Sequence, residues 1–290
     1  MYFICSRGGG FIFMPWSSAF AIANALHRLR FPLLYGILAT LACHGISAAA
    51  EGCPTSRDEI VTDRPDVTNS SLVVPTGSLQ SENGVNVSAH QSSPIIDGTN
   101  SRLRLGIAPC LEVLVDLPNY FAASRGHASS GFTDVAPAVK WQISPIPGKI
   151  DLSATLGVAL PTGTTRVAGP GAQPYLQFPW SVELGGSWEI AGMVTTSFRP
   201  SDAPNQLTQE ATFVLERKIG ERADLFVEYV GDFPTRAGPS HLINSGGAYR
   251  ITPTQQIDFH VAFGLNHTAP TYIFGIGYSL RFDNLFCTCH

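Results

Sequence analysis

Apolar and polar residues alternate with period two through most of the second half of the chain. Leu103, Leu105 and Ile107 alternate with Arg102, Arg104 and Gly106, and Leu152, Ala154, Leu156, Val158 and Leu160 with Asp151, Ser153, Thr155, Gly157 and Ala159. Ile257, Phe259, Val261 and Phe263 alternate with Asp258, His260, Ala262 and Gly264. The last such run sets Tyr272, Phe274, Ile276, Tyr278, Leu280 and Phe282 against Gly275, Gly277, Ser279 and Arg281. Successive side chains of a strand point to opposite faces, so each run predicts a strand with one dry face and one wet or small face.

The connectors alternate in length. Short ones fall at Ala108 to Cys110, Ser144 to Lys149, Gly185 to Ser187, Ile219 to Arg222 and Thr252 to Thr254. Long ones, rich in Gly, Pro, Ser, Asn and Asp, fall near 91–100, 119–131, 161–174, 199–208, 232–241 and 265–270. Tight turns at one end and long loops at the other are the rhythm of an up-and-down antiparallel transmembrane β-barrel, with turns in the periplasm and loops outside. Residues 79–282 predict about twelve strands, in a range of about ten to fourteen, with an even count that leaves both ends on the turn side. The small-residue faces carry too few large side chains for a sandwich core, so the dry faces are expected to meet lipid.

Some segments fit less well. Residues 79–90 offer only Val85, Val87 and Ala89 to lipid, and Phe226 and Val230 interrupt the polar face of their strand. Pro137 and Pro179 fall inside predicted strands, where a missing amide donor predicts a bulge in a wall that has no edges. Tyr120, Trp141, Trp180, Trp188, Phe198, Tyr229 and Tyr249 lie at or near strand ends and are expected to form the interfacial girdles.

The first fifty residues read as a leader. His27 to Arg30 are basic, Phe31 to Ile46 are mostly apolar, and Ser47 to Ala50 supply the small residues of a cleavage site, so 1–50 predict a signal peptide and a mature start near Glu51. A membrane-spanning anchor fits less well, because the run falls short of the roughly 20 residues a bilayer needs and contains His44. A lipoprotein acylated at Cys43 would want Leu three positions earlier, where Thr40 stands. Residues 1–26 are long and irregular for a leader's start, and Met14 offers a second initiation point. After the leader come an N-terminal segment, 51–78, the barrel, 79–282, and a tail, 283–290.

Composition changes the picture in one respect. Charged residues make up only 14% of the chain, against roughly 25% in soluble proteins, so apolar surface must find a home other than one compact core. The net charge of −4 shows no nucleic-acid footprint.

The run Thr62-Asp63-Arg64-Pro65-Asp66, then Val74-Pro75-Thr76-Gly77 and Gln80-Ser81-Glu82-Asn83-Gly84, resembles the opening of the family called the MetA-pathway of phenol degradation. Later matches follow in family order: Gly131-Phe132-Thr133-Asp134 with Lys140-Trp141, Leu160-Pro161-Thr162-Gly163, Pro179-Trp180-Ser181, Phe226-Val227-Glu228-Tyr229 and Gly264-Leu265-Asn266. The resemblance spans about 60 to 282. It implies a bacterial outer-membrane transporter linked to uptake of aromatic compounds, and it carries no established site residues. The turn at Cys110 and the tail after Phe282 depart from the family.

With this strand parity, Arg102, Arg104, Glu112, Asp116, Asp134, Lys140, Asp151, Glu228, Arg250, Asp258, His260 and Arg281 are expected to line the lumen, as are Glu82, His90, Glu183, Glu189, Glu216 and Asp224. They are read first as groups that pair across a small interior and second as a permeation path, with Arg102 and Arg104 as the best anion contacts. The N-terminal segment has no strand pattern, contains Pro65 and Pro75, and carries Asp63, Arg64 and Asp66, which are expected to pair with inward charges as a plug. Cys53, Cys110, Cys287 and Cys289 fall in an oxidising compartment and allow three disulfide pairings. One C-x-C beside His290 is too little for a metal site, and no cofactor motif is present. Ser88 with His90 and Asp258 with His260 share faces, yet no G-x-S-x-G occurs, so an enzyme is not expected.

The expected partners are outer-membrane lipids, the barrel assembly machinery reading Gly277 to Phe282, and a small solute, aromatic by the resemblance. The expectation is a passive channel for small hydrophobic or aromatic molecules. A non-conducting adhesin, receptor or structural barrel acting through its loops is the alternative, and a soluble all-β protein the fallback.

Overall fold

A sheet avoids exposing unpaired amides to hydrocarbon only by closing on itself. The computed structural model describes Cys53 and residues 58–90, 93–123, 130–143, 150–200 and 206–285, and within them the sheet closes. Its segments are β1 (Leu79–His90), β2 (Ser93–Ala108), β3 (Leu111–Asp116), β4 (Tyr120–Ala123), β5 (Gly131–Phe132), β6 (Ala136–Gln142) and β7 (Ile150–Ala159). After a single-turn helix α1 (Thr165–Ala168) come β8 (Gln173–Gly185), β9 (Trp188–Arg199), β10 (Gln206–Ile219), β11 (Ala223–Pro234), β12 (Ser240–Thr252), β13 (Gln255–Gly264) and β14 (Tyr272–Phe282).

These fourteen segments make twelve wall strands. β3 and β4 both pair with β2 and are halves of one strand; β5 lies on β4 and β6 on β3, and they form the next. β1 pairs with β2 on one side and with β14 on the other, from Leu79↔Phe282 to Ala89↔Tyr272, and every neighbour is antiparallel. Most strands run 10 to 16 residues, enough for the roughly 9–11 a tilted strand needs to cross a bilayer.

Burial is inverted relative to a soluble fold. Leu156 is 65% exposed, Ile276 55% and Phe259 50%, whereas Arg104, Glu112 and Glu228 are 0% exposed. The dry row of each strand faces outward and the charged or small row faces the axis, as the period-two reading requires. Phe226 and Val230 are inward exceptions, and Val230 packs with Leu242, Ala269 and Ile273 in a small apolar knot toward the loop end.

Three local expectations need correction. Residues 93–100, read as loop because of their Asp, Gly and Asn, continue β2, which pairs there with β1 and β4. Pro137 and Pro179 cause no bulge. Beside Pro179 the β7–β8 ladder drops the pairs between Leu152↔Trp180 and Thr155↔Gln177 but keeps its register, and Pro137 sits opposite Val115 without a shift. A missing N–H removes a bond without inserting a residue. The register shifts lie at Glu82/Gly84, Gly106/Ala108, Glu183/Gly185 and Arg250/Thr252, the last three beside short turns. Residues 1–50, expected as a leader, and Cys287 and Cys289, lie outside the described residues.

The lipid-facing assignment predicts a depth-dependent cost. Leu156→Arg, in mid-strand, should destabilise refolding into lipid vesicles by ~2–4 kcal/mol, and Ile219→Arg, at a strand end, by ~0–1 kcal/mol. Equal costs in equilibrium urea titrations would contradict the assignment.

Candidate functional site

Residues 58–78 form neither helix nor strand, apart from one bridge, Thr76↔Gly106. Pro65 and Pro75 remove two backbone donors, and few apolar residues alternate. Buried backbone groups must nonetheless be paired, and here the wall's side chains pair them. Glu82 accepts from the Asp63 amide at 3.0 and 3.2 Å. Glu228 accepts from the Val67 and Thr68 amides at 2.9 Å and from the Thr68 hydroxyl at 2.8 Å. Glu112 accepts from the Val74 amide at 2.6 Å and Gln142 from the Val73 amide at 3.1 Å.

The segment's carbonyls find cations and amides in the same way. Arg104 donates to Leu72 O at 3.0 Å, Gln80 to Val61 O at 2.8 Å and Arg281 to Glu59 O at 3.0 Å. Side chains meet too: Asn69 donates to Gln177 on β8, Thr68 bonds Thr212 on β10 and Gln256 on β13 donates to Thr62. The segment is thereby bonded to strands around the whole barrel, with the wall supplying the partners of a missing neighbour strand.

Asp63 is the electrostatic centre. Its carboxylate lies 2.9 Å from Arg102, 3.2 Å from Arg104 and 3.4 Å from Lys140. Burial pushes its pKa up, but Arg104, Lys140 and Arg102 together outweigh that and hold it well below the usual carboxylate range. Arg104 also binds Glu112 at 3.0 Å and Glu82 at 3.1 Å. Taking ions out of water costs several kcal/mol each unless every donor and acceptor is met, and here they are shared among six groups.

Arg64 enters a second seat, 3.2 Å from Asp258. Gly84 and Gly277 face each other across β1 and β14, and a Cβ on either would strike the Arg64 side chain. Asp66 faces Glu228 and Glu216 instead of cations. Burial, then those two carboxylates, push its pKa well above the ordinary value.

The residues expected from sequence are thus placed as follows. Arg102 and Arg104, expected as anion contacts, are engaged by Asp116, Asp63, Asn69, Glu112 and Glu82, which leaves neither guanidinium free for a solute in this state. Asp134 accepts from the Thr162 and Gly163 amides and staples a long loop to the rim. Arg250 pairs with Asp224 and with Glu59, and Arg281 with Asp283. His260 has its ring nitrogens 3.2 Å from Asn244 Oδ1 and 3.3 Å from Asn86 Oδ1, while Asp258 binds Arg64 and not His260. The His90 side chain lies outside the described residues.

Cys53 and Cys110 form a disulfide that ties the N-terminal segment to the β2–β3 turn. The tail after Phe282 turns back, with Asp283 accepting from Ser78 at 2.7 Å. Sequence reasoning missed Gln80, Gln142, Asn244 and Thr212. Each sits on the inward row, Gln80 beside Glu82, Gln142 beside Lys140 and Asn244 across from Glu228, and only their lack of charge hid them.

Between the segment and the β7–β13 wall, at the short-turn end, lies a cavity of about 240 Å³. Asp66, Asp151, Glu183, Glu189, Glu216, Asp224 and Glu59 line it, against Arg64, Lys218 and Arg250.

An inside-out twelve-strand barrel, its lumen caged around an N-terminal segment, is the architecture of a bacterial outer-membrane β-barrel. The chain belongs to the family described as "Putative MetA-pathway of phenol degradation", which matches residues 62–282. Among solved structures, an outer-membrane channel from Pseudomonas putida F1 superposes with a TM-score of 0.56 at 13% identity, covering 77% of this chain and 100% of that one. The NanC porin superposes at 0.51 with 8% identity, covering 70% and 98%. At these identities the likeness is one of fold. No curated protein matches in sequence.

The two aspartates predict opposite pH responses. Undocked, both carry an ordinary value near ~3.9. Asp63, depressed when docked, favours docking above that value and loses the contribution as pH falls through its docked value. Asp66, raised when docked, favours docking below the ordinary value and loses the contribution as pH rises through its docked value. Hydrogen exchange at the Val67 and Thr68 amides, corrected for intrinsic rate, should therefore accelerate with rising pH and become flat in Asp66→Asn. A wild-type profile without that rise would contradict the assignment.

Proposed function

We propose that the barrel is a passive channel for small molecules, hydrophobic or aromatic in class, and that residues 51–78 form its plug on the periplasmic side after removal of the leader near Glu51. The observation that carries this reading is the way the filler is held. The wall closes through backbone ladders, whereas the segment is held mainly by side chains, so it can leave the lumen without opening the wall. The solute class rests on the family description, with phenol degradation in its name. Phe226 lines the cavity, and inward Tyr175 is half-buried, so a mostly polar lumen offers apolar contacts for a ring. Transport in this reading is diffusive, down the solute's gradient, since no nucleotide-binding motif stands in the sequence.

Deleting residues 58–77 and recording in planar bilayers tests the plug. Single-channel conductance should rise several-fold, and the carboxylate-rich cavity should make the opened pore prefer cations, read as a shifted reversal potential in a salt gradient. Unchanged conductance would overturn the plug reading. In liposome uptake with phenol, benzoate and a linear alkane, entry of none above empty vesicles would overturn the solute class.

A further inference from the structure

The lipid-facing rows of the wall carry a single charged side chain among the described residues, Arg217. Every other Asp, Glu, Lys or Arg within the strands stands on the inward row, as the register shows: Glu216 and Lys218 flank Arg217 but alternate to the axis, where Lys218 lies 3.6 Å from Glu183. Arg217 stands across from Trp188 on β9 and from Leu225 on β11. Leu215, Ile219 and Leu225 around it are all exposed apolar residues on the same outer face.

A guanidinium on that face is costly at the bilayer centre and nearly free of cost at the interface. Arg217 is two residues from the end of β10 at Ile219, about 7 Å along the strand, which puts it at headgroup depth. Its guanidinium carbon lies 5.0 Å from the centre of the Trp188 ring. Stacking on indole orients the fork and leaves its N–H groups pointing outward. Among the described residues no carboxylate pairs with it. An oriented, unpaired guanidinium at headgroup depth beside an interfacial Trp is complementary to a phosphodiester, which it meets with two parallel charge-assisted hydrogen bonds. Apolar neighbours above it suit the acyl chains, and an interfacial Trp bridges the two regions.

We propose that Arg217 and Trp188 form a binding site for the phosphate of a phospholipid in the membrane leaflet at the short-turn end of the barrel. The site is distinct from the lumen and does not depend on what the channel carries.

The test is native mass spectrometry of the full chain in detergent, titrated with phosphatidylglycerol and with a galactosyl diacylglycerol of the same acyl chains. The wild type should retain phosphatidylglycerol over the galactolipid, and Arg217→Gln should weaken phosphatidylglycerol binding by about tenfold, the loss of one charge-assisted pair. Arg217→Lys should fall between, and Trp188→Leu, which keeps the face apolar, should also weaken it. Should Arg217→Gln not fold, as judged by heat-modifiable gel mobility, Trp188→Leu carries the test. Arg222→Gln, in the turn at the same rim, should leave binding unchanged. Equal affinity of the wild type for the galactolipid, undiminished binding by Arg217→Gln or Trp188→Leu, or an equal loss in Arg222→Gln would each overturn the site.

Discussion

Hydrocarbon offers no hydrogen bonds, and that constraint orders the whole structure. Each backbone amide at membrane depth must be satisfied within the protein, so the sheet closes from β1 to β14 and turns its apolar rows outward. The interior is then made mostly of what remains, charged, polar and small residues, with a few apolar ones such as Met193, Val214 and Phe226. A lumen of that kind tolerates irregular backbone only where side chains can stand in for a strand. Glu82, Glu112, Gln142 and Glu228 do this for residues 63–74, each accepting from a main-chain amide that no ladder reaches.

Carboxylates suit that task, because each offers about four lone-pair sites and no donor of its own. The charge of Glu82 and Glu112 is then offset by the same cation that binds a carbonyl of the segment, Arg104. Asp63 completes the arrangement by meeting Arg102, Arg104 and Lys140 on the wall. Breaking one member of such a buried cluster leaves an uncompensated ion, a cost of about 3–5 kcal/mol. The glycine rows serve the same end by subtraction. Where Gly84 faces Gly277 the lumen gains the width of two side chains, and Arg64 occupies it.

Much of this fold was legible because it is periodic. Alternation and turn rhythm depend on residues a few positions apart, and they locate the wall and separate inward from outward rows. The charged inward residues were legible for the same reason, as were Asp63 and Arg64 as groups needing partners. What could not be read was who pairs with whom. Thr68 and Glu228 are 160 positions apart and Arg64 and Asp258 are 194 apart, distances at which no local pattern survives. The choice of Cys53 with Cys110 is of the same kind, since the three pairings are equivalent in composition. The 93–100 region failed for a different reason. Its Asp, Gly and Asn are turn formers in isolation, but Asp97 accepts from Asn86 and Asn119, and that tertiary network keeps the chain extended.

The wall and its filler differ in how they are held, and the difference in energy follows from the difference in bonding. Wall strands share long cooperative ladders, so opening one exposes a row of amides to lipid, at several kcal/mol for each unsatisfied group. The filler is fixed by a limited set of hydrogen bonds, worth about 0.5–1.5 kcal/mol each and about 1.5–3 kcal/mol when charged, and every group it would release meets water. Regions with that balance open locally well below the free energy of global unfolding. The Cys53–Cys110 disulfide adds a boundary to any such opening. A segment undocked from Glu228 and Asp258 is then tethered at both ends, by the chain itself at Leu79 and by the disulfide at the β2–β3 turn, which limits how far it can stray and raises its effective concentration for return.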